Sequence, residues 1–118
     1  MKDMRLYLDH ILTALLRIES YTQDGRQAFM DSHMAQDAVI RNFEIIGEAA
    51  KRIPKDFRKA HAGIPWAEMA GFRDVLIHEY DRVDLEEVWL TVERDLPQLK
   101  QPIQELLAAL DSDQNSEA

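Results

Sequence analysis

Apolar residues recur at intervals of three and four along almost the whole chain, the spacing of amphipathic helices, and no stretch alternates in the manner of a strand. Residues 4–21 (MRLYLDHILTALLRIESY) place Leu8, Ile11, Leu12, Leu15, Leu16 and Ile18 at that spacing and predict a first helix. Residues 22–30, with Gly25, read as a connection. Asp31 or Ser32 is suited to cap a second helix running to about Ile53, with Ala35, Ala38, Val39, Phe43, Ile46, Ala49, Ala50 and Ile53 as its apolar positions. Pro54 ends it, and KDFRKAH has the makings of a short helix. Gly63 breaks that segment. Pro65 fits the first turn of a third helix through about Glu79, and Asp84 caps a fourth that begins at Leu85 with Glu86 and Glu87 in its first turn. Pro97 should kink or briefly interrupt this helix, after which Leu99, Ile103, Leu106, Leu107 and Leu110 resume the pattern.

Short links between long amphipathic helices predict an all-α fold, an antiparallel bundle of four or five helices. One domain over residues 1–111 is expected, with a polar, frayed tail over 112–118 (SDQNSEA). A chain of 118 residues suits a single core, and 46% hydrophobic with 31% charged residues is a globular composition. The absence of cysteine excludes disulfides and thiolate metal sites and agrees with a cytoplasmic location. The N-terminal MKDMRLYLDH interleaves charges with apolar residues, unlike a secretory leader, and no apolar run reaches the roughly 20 residues that span a bilayer, so no membrane association is expected. A net charge of −8 argues against a general nucleic-acid-coating role. Any chemistry on RNA would need a local positive site.

Polar chemistry concentrates in GFRDVLIHEY, residues 71–80, where Arg73, His78 and Tyr80 stand among helix-packing residues. On an ideal helix Tyr80 falls about 20° from Arg73 around the axis, and Asp74 shares a stripe with His78 four residues on, where it could orient the imidazole. A histidine can move a proton near neutral pH, and a permanently charged arginine can stabilise a phosphorane, so the set suits metal-free RNA cleavage. One histidine does not easily serve as both acid and base, and a symmetric dimer would supply two Arg–His pairs. By spacing alone, however, an arginine and a histidine five apart on a helix are most often surface groups or a capped ion pair. Glu44 and Glu48, with Lys51 and Arg52 nearby, read first as a solvated, charge-paired face. Alternatively Glu48, flanked by Gly47 and Ala49 where backbones can approach, salt-bridges Arg73 and holds its angle. His10, His33, His61 and His78 show no ligand spacing, so no metal and no cofactor is expected. Trp66 and Trp89 read as core or interface anchors, and Trp66 and Met69 as exposed apolar candidates for a dimer contact.

The segment RDVLIHEY matches the R-x4-H-x-Y signature of HepT-like toxins of the HEPN superfamily. AVIRNFEIIGEAAKRIP, IPWAEMAGFRDVLIHEYDRVDLEEVW and DLPQL resemble the same family, so the likeness extends from about residue 4 to 110. The resemblance implies a homodimeric HEPN bundle, with the motif lining a cleft near the two-fold axis, and metal-independent endoribonuclease activity carried by Arg73 and His78; Asp74 follows the arginine where the superfamily often has asparagine or another polar residue. It also implies a toxin–antitoxin pairing, in which an MntA-like nucleotidyltransferase neutralises the toxin by transferring AMP from ATP onto the motif tyrosine, here Tyr80. The rival reading is a non-catalytic helical subunit that binds substrate for, or acts as adaptor to, a nucleotidyltransferase.

Overall fold

The computed structural model describes residues 2–117, and the side chains of 4–112. Among the described residues there is no strand. The helices are α1 (Lys2–Tyr21), α2 (Arg26–Asp31), α3 (His33–Arg52), α4 (Lys55–Ala60), α5 (Trp66–His78), α6 (Leu85–Leu90) and α7 (Leu96–Glu117). A π-helical turn, Thr91–Asp95, joins α6 to α7 without a break, so 85–117 form one long helix.

Local chemistry accounts for most boundaries. Ser32 Oγ accepts from the Ala35 N–H at 3.0 Å and starts α3. Asp84 Oδ1 accepts from the N–H groups of Glu86 and Glu87 and starts α6. Residues 22–30 are not simply a connection: Gly25, at φ +94°, turns the chain into α2. The side chain of Gln36 then fixes α2, donating to the carbonyl oxygens of both Phe29 and Met30 at 3.0 Å from a buried position. At Pro97 the helix adjusts rather than ends. Proline offers no N–H to the Glu93 carbonyl, and its ring crowds that carbonyl. The preceding turn widens, with the Leu96 N–H reaching back five residues to the Thr91 carbonyl. The helix then passes Pro102 as well and carries on through the polar segment to Glu117; the side chains from 113 and all of Ala118 lie outside the described residues.

Helix α3 is the centre of the molecule, with α1 against one side and α5 against the other, and α7 lies along α1. Two ion pairs show that α1 and α7 run antiparallel: Arg5, early in α1, meets Asp111, late in α7, and Glu19, late in α1, meets Lys100, early in α7. Leu8, Ile11, Leu15 and Ile18 are fully buried, while Leu16, expected with them, lies outside this 3-4-3 stripe and is exposed. Trp66 and Met69 are also core residues, not exposed anchors. Trp66 donates Nε1–H to the His61 carbonyl at 3.0 Å and Met69 faces α3, so neither is free for a dimer contact. Trp89 is buried beside Phe29, with ring centroids 5.6 Å apart.

The α3–α5 contact is unusually close. A Cβ at Gly47 would stand 2.1 Å from Arg73 Cβ and 2.7 Å from the Met69 carbonyl oxygen. Gly47→Ala gains helix propensity of about 1 kcal/mol but must push α5 away, and overpacking of this kind typically destabilises by about 1–3 kcal/mol. Gly71, also within α5, has nothing within 4 Å of the position its Cβ would take. Urea unfolding should therefore show opposite signs, with Gly47→Ala lowering the midpoint and Gly71→Ala raising it. A stabilising Gly47→Ala would refute the close-approach account.

Candidate active site

Arg73 lies where α5 crosses α3. Its stem packs over Gly47, and its guanidinium is anchored at two points: Nη2 stands 3.1 Å from Glu48 Oε2, and Nη1 donates to Asp74 Oδ1 at 3.0 Å. The same Asp74 oxygen accepts from Lys51 Nζ at 2.7 Å. Glu48 in turn accepts from Arg52 Nε at 3.1 Å through its other oxygen. A network of three cations and two carboxylates thus runs along the α3–α5 seam. The Lys51 ammonium, and after it the Arg73 guanidinium, hold the Asp74 carboxyl below the usual carboxylate range.

The structure brings Arg73, Asp74 and Glu48 together; His78 and Tyr80 stand apart from them. Asp74 was expected to orient His78, yet its bonds go to Lys51 and Arg73 and none goes to the imidazole. The reason is proximity: α3 places the Lys51 ammonium against α5 one turn beyond Gly47, and the Arg73 guanidinium stands next to Asp74 in the chain. His78 is the last residue of α5 and is exposed. Five residues of helix separate it from Arg73, about 140° around the axis and about 7.5 Å along it. Tyr80 does not share the stripe of Arg73, because α5 ends at His78 and Glu79 caps it, so the tyrosine leaves the helix. It is 80% exposed. The apolar groups exposed beside the motif are Val75 and Ile77. Among the described residues no group of three or more histidines, aspartates or glutamates is placed to hold a metal, and no helix is long and apolar enough to cross a membrane.

An open cleft of about 300 Å³ lies on the other side of Arg73, between α1, α3 and α5. Tyr7, His10, Arg41 and Arg52 line it together with Arg73, Glu44 and Glu48. These cationic and aromatic members did not stand out in the sequence as functional. A signal existed: Arg41, Glu44, Glu48 and Arg52 follow one another at intervals of three and four along α3, a continuous polar stripe next to Gly47.

The chain matches the family model "Ribonuclease HepT-like" over residues 11–106. It is 46% identical over 101 residues to a protein of Thermococcus cleftensis named "Probable ribonuclease HepT", covering 85% of this chain and 92% of that one. It is 41% identical over 108 residues to a "Putative RNase" of Caldanaerobacter subterraneus subsp. tengcongensis, covering 91% and 96%. A "Gamma-glutamylcyclotransferase and putative RNase" of Methanocaldococcus jannaschii is 46% identical over 116 residues; the match takes in 98% of this chain but only 52% of that larger protein. No solved structure matches the chain.

The depressed pKa of Asp74 sets a pH signature. Its folded-state value lies below its unfolded one, so the stability it contributes is complete above the ordinary carboxylate range. That stability declines as pH falls past the unfolded value and is gone once pH is below the folded one. Carboxyl-carbon NMR should show Asp74 titrating below a typical aspartate, and Lys51→Met should move it back up. An unchanged titration in Lys51→Met would remove the lysine as the main cause.

Proposed function

The chain belongs to the ribonuclease HepT-like family, and from that premise we propose that it is a toxin acting as a metal-independent endoribonuclease through Arg73 and His78 in the cleft of a homodimer. The observation that carries this reading is the fixed Arg73. Gly47 and Glu48 hold a permanently charged guanidinium on α5, and an exposed histidine follows on the same helix. On a chain of net charge −8, an RNA phosphate needs such a local cation.

The chemistry is a transphosphorylation. A neutral His78 accepts the proton of the 2′-hydroxyl as that oxygen bonds to phosphorus. A protonated His78 from the second copy donates to the 5′-oxygen as its bond to phosphorus breaks. A 2′,3′-cyclic phosphate and a free 5′-hydroxyl result. Arg73 holds the non-bridging oxygens, whose charge grows in the transition state. Because Arg73 and His78 diverge on one helix, two copies related by a two-fold axis are the natural means of putting both kinds of group around one phosphate. Val75, half exposed on α5 within the motif, is an apolar group such a pairing would cover. Neutralisation fits Tyr80. Its hydroxyl oxygen attacks the α-phosphorus of ATP on an MntA-like nucleotidyltransferase, pyrophosphate leaves, and the phenolic proton goes to a base of that enzyme. The attached AMP then brings negative charge and bulk to the end of α5 beside His78.

The adaptor reading draws on the negative Asp74 next to the motif arginine. Its pairing with Lys51 and Arg73 weakens that objection, because the carboxylate charge is met by two cations.

Arg73→Ala and His78→Ala should each lower RNA cleavage by at least about 100-fold without loss of fold. Cleavage by the purified, unmodified protein should survive EDTA. Full activity in either variant would remove the assigned role, and loss on chelation would replace the mechanism with a metal-dependent one.

With a cognate nucleotidyltransferase and ATP, intact-mass spectrometry should record AMP-sized additions to the wild type and none to Tyr80→Phe, which keeps the ring and loses only the acceptor oxygen. Equal addition to both would move the modification elsewhere.

A further inference from the structure

The cleft between α1, α3 and α5 has the composition of a binding site that the reading above does not use. Its charged lining is Arg41, Arg52 and Arg73 against Glu44 and Glu48, three positive charges to two negative, on a protein whose total is −8. The arginines are not consumed by the glutamates. Arg41 stands 3.6 Å from Glu44, beyond hydrogen-bond reach, and its side chain is 70% exposed. Arg52 meets Glu48 through Nε and stands beside the Tyr7 hydroxyl, with 58% of its side chain still exposed. It is also kept firmly charged, first by the Tyr7 hydroxyl beside it and then by Glu48. Tyr7 and His10 form one wall, edge to face with centroids 6.2 Å apart, and the Arg52 guanidinium carbon lies 6.0 Å from the Tyr7 ring centre. Ile45, Ala49 and Ile77 supply an apolar floor.

We infer that this cleft is a nucleotide subsite for single-stranded RNA, in which Arg41, Arg52 and His10 hold a backbone phosphate next to the scissile one and Tyr7 flanks the sugar and base. The inference rests on the reading that RNA is the substrate. Arg73 supports the placement, since it lines this cleft while serving as the proposed catalytic cation, so a strand crossing it would meet both groups in succession. Guanidinium forks match phosphate oxygens, and an aromatic wall beside a cationic groove is how single strands are held without strict sequence preference. The cleft volume of about 300 Å³ is at the small end of ligand sites and suits one nucleotide rather than a folded partner's side.

The test is fluorescence anisotropy of a short 2′-O-methyl RNA oligonucleotide, which binds but cannot be cleaved, on the full-length protein. Arg52→Gln and Arg41→Gln should each weaken binding at least about tenfold and make its salt dependence shallower by about one phosphate contact. His10→Gln should weaken it less. Arg52→Lys should recover part of the loss, and Arg94→Gln, away from the cleft on the π-helical turn, should bind as wild type does. On cleavable RNA, Arg41→Gln, which touches no partner of Arg73, should raise KM while leaving kcat largely intact. Thermal unfolding of each variant separates a binding loss from misfolding. Wild-type affinity and salt slope in both arginine variants would overturn the subsite, even if the protein cleaves RNA. Oligonucleotide binding that depends on Arg41 and Arg52, in a protein that cleaves nothing, would keep the subsite and refute the ribonuclease. No oligonucleotide binding by the wild type, or equal displacement by polyglutamate, would overturn the RNA assignment of the cleft.

Discussion

The close approach of α3 and α5 at Gly47 governs the geometry of everything around the motif. With no side chain at that position, the two helix backbones come together until the stem of Arg73 occupies the space a Cβ would take. Contacts on either side of the crossing follow from it. Phe43 and Phe72 meet edge to face with centroids 5.2 Å apart, and beyond the glycine Glu48 and Lys51 come within reach of Arg73 and Asp74. A helix pair held further apart would still bury Leu76 and Met69, but the guanidinium would be a tethered surface charge with several rotamers. Here its methylene stem is packed, its head is held at two points, and only 26% of the side chain is exposed. The crossing converts a flexible residue into a positioned one.

Electrostatics completes that constraint. Single exposed ion pairs contribute little to stability, and those on this molecule are no exception individually. Their arrangement matters more. Glu48 divides its two oxygens between Arg52 and Arg73, and Asp74 divides one oxygen between Lys51 and Arg73. Each carboxylate therefore holds two cations near each other that would otherwise repel. An acidic chain can in this way maintain a cationic strip along one seam although its net charge is −8.

The elements that local chemistry specifies could be read from the chain: the Ser32 and Asp84 caps, the stop at Pro54, the short helix after it, and the start of α5 after Pro65. What could not be read depended on partners distant in sequence. Helix α2 reads as a connection in the sequence because six residues carry too little periodicity, and its anchor is a buried glutamine in the following helix. The sequence leaves Trp66 open between core and interface and offers Met69 as an exposed candidate, because their own helix is apolar on most sides and only the position of α3 decides which side is covered. Tyr80 was aligned with Arg73 by extending an ideal helix two residues past its real end. At the site, the pairing of Glu48 with Arg73 was foreseeable from Gly47 between two polar turns. The cleft with Tyr7 and His10 was not, because it exists only once α1 lies against α3.

The π-helical turn at Thr91–Asp95 divides the last helix into two differently directed faces. Before it, Val88 and Trp89 point into the core, the tryptophan towards Phe29; after it, Leu99, Ile103 and Leu107 are buried on the part that lies along α1. One residue more or fewer in a regular helix rotates all that follows by about 100°. The wide turn absorbs one extra residue locally, so the 22 downstream residues keep the phase an uninterrupted α-helix would give them. A single-residue deletion between 91 and 95 can be taken up by tightening that turn to the ordinary four-residue pattern, leaving Leu99 and Ile103 buried against α1. A further insertion has no such outlet and would swing polar neighbours such as Gln101 and Gln104 towards the core, so the segment should accommodate deletions far more readily than insertions.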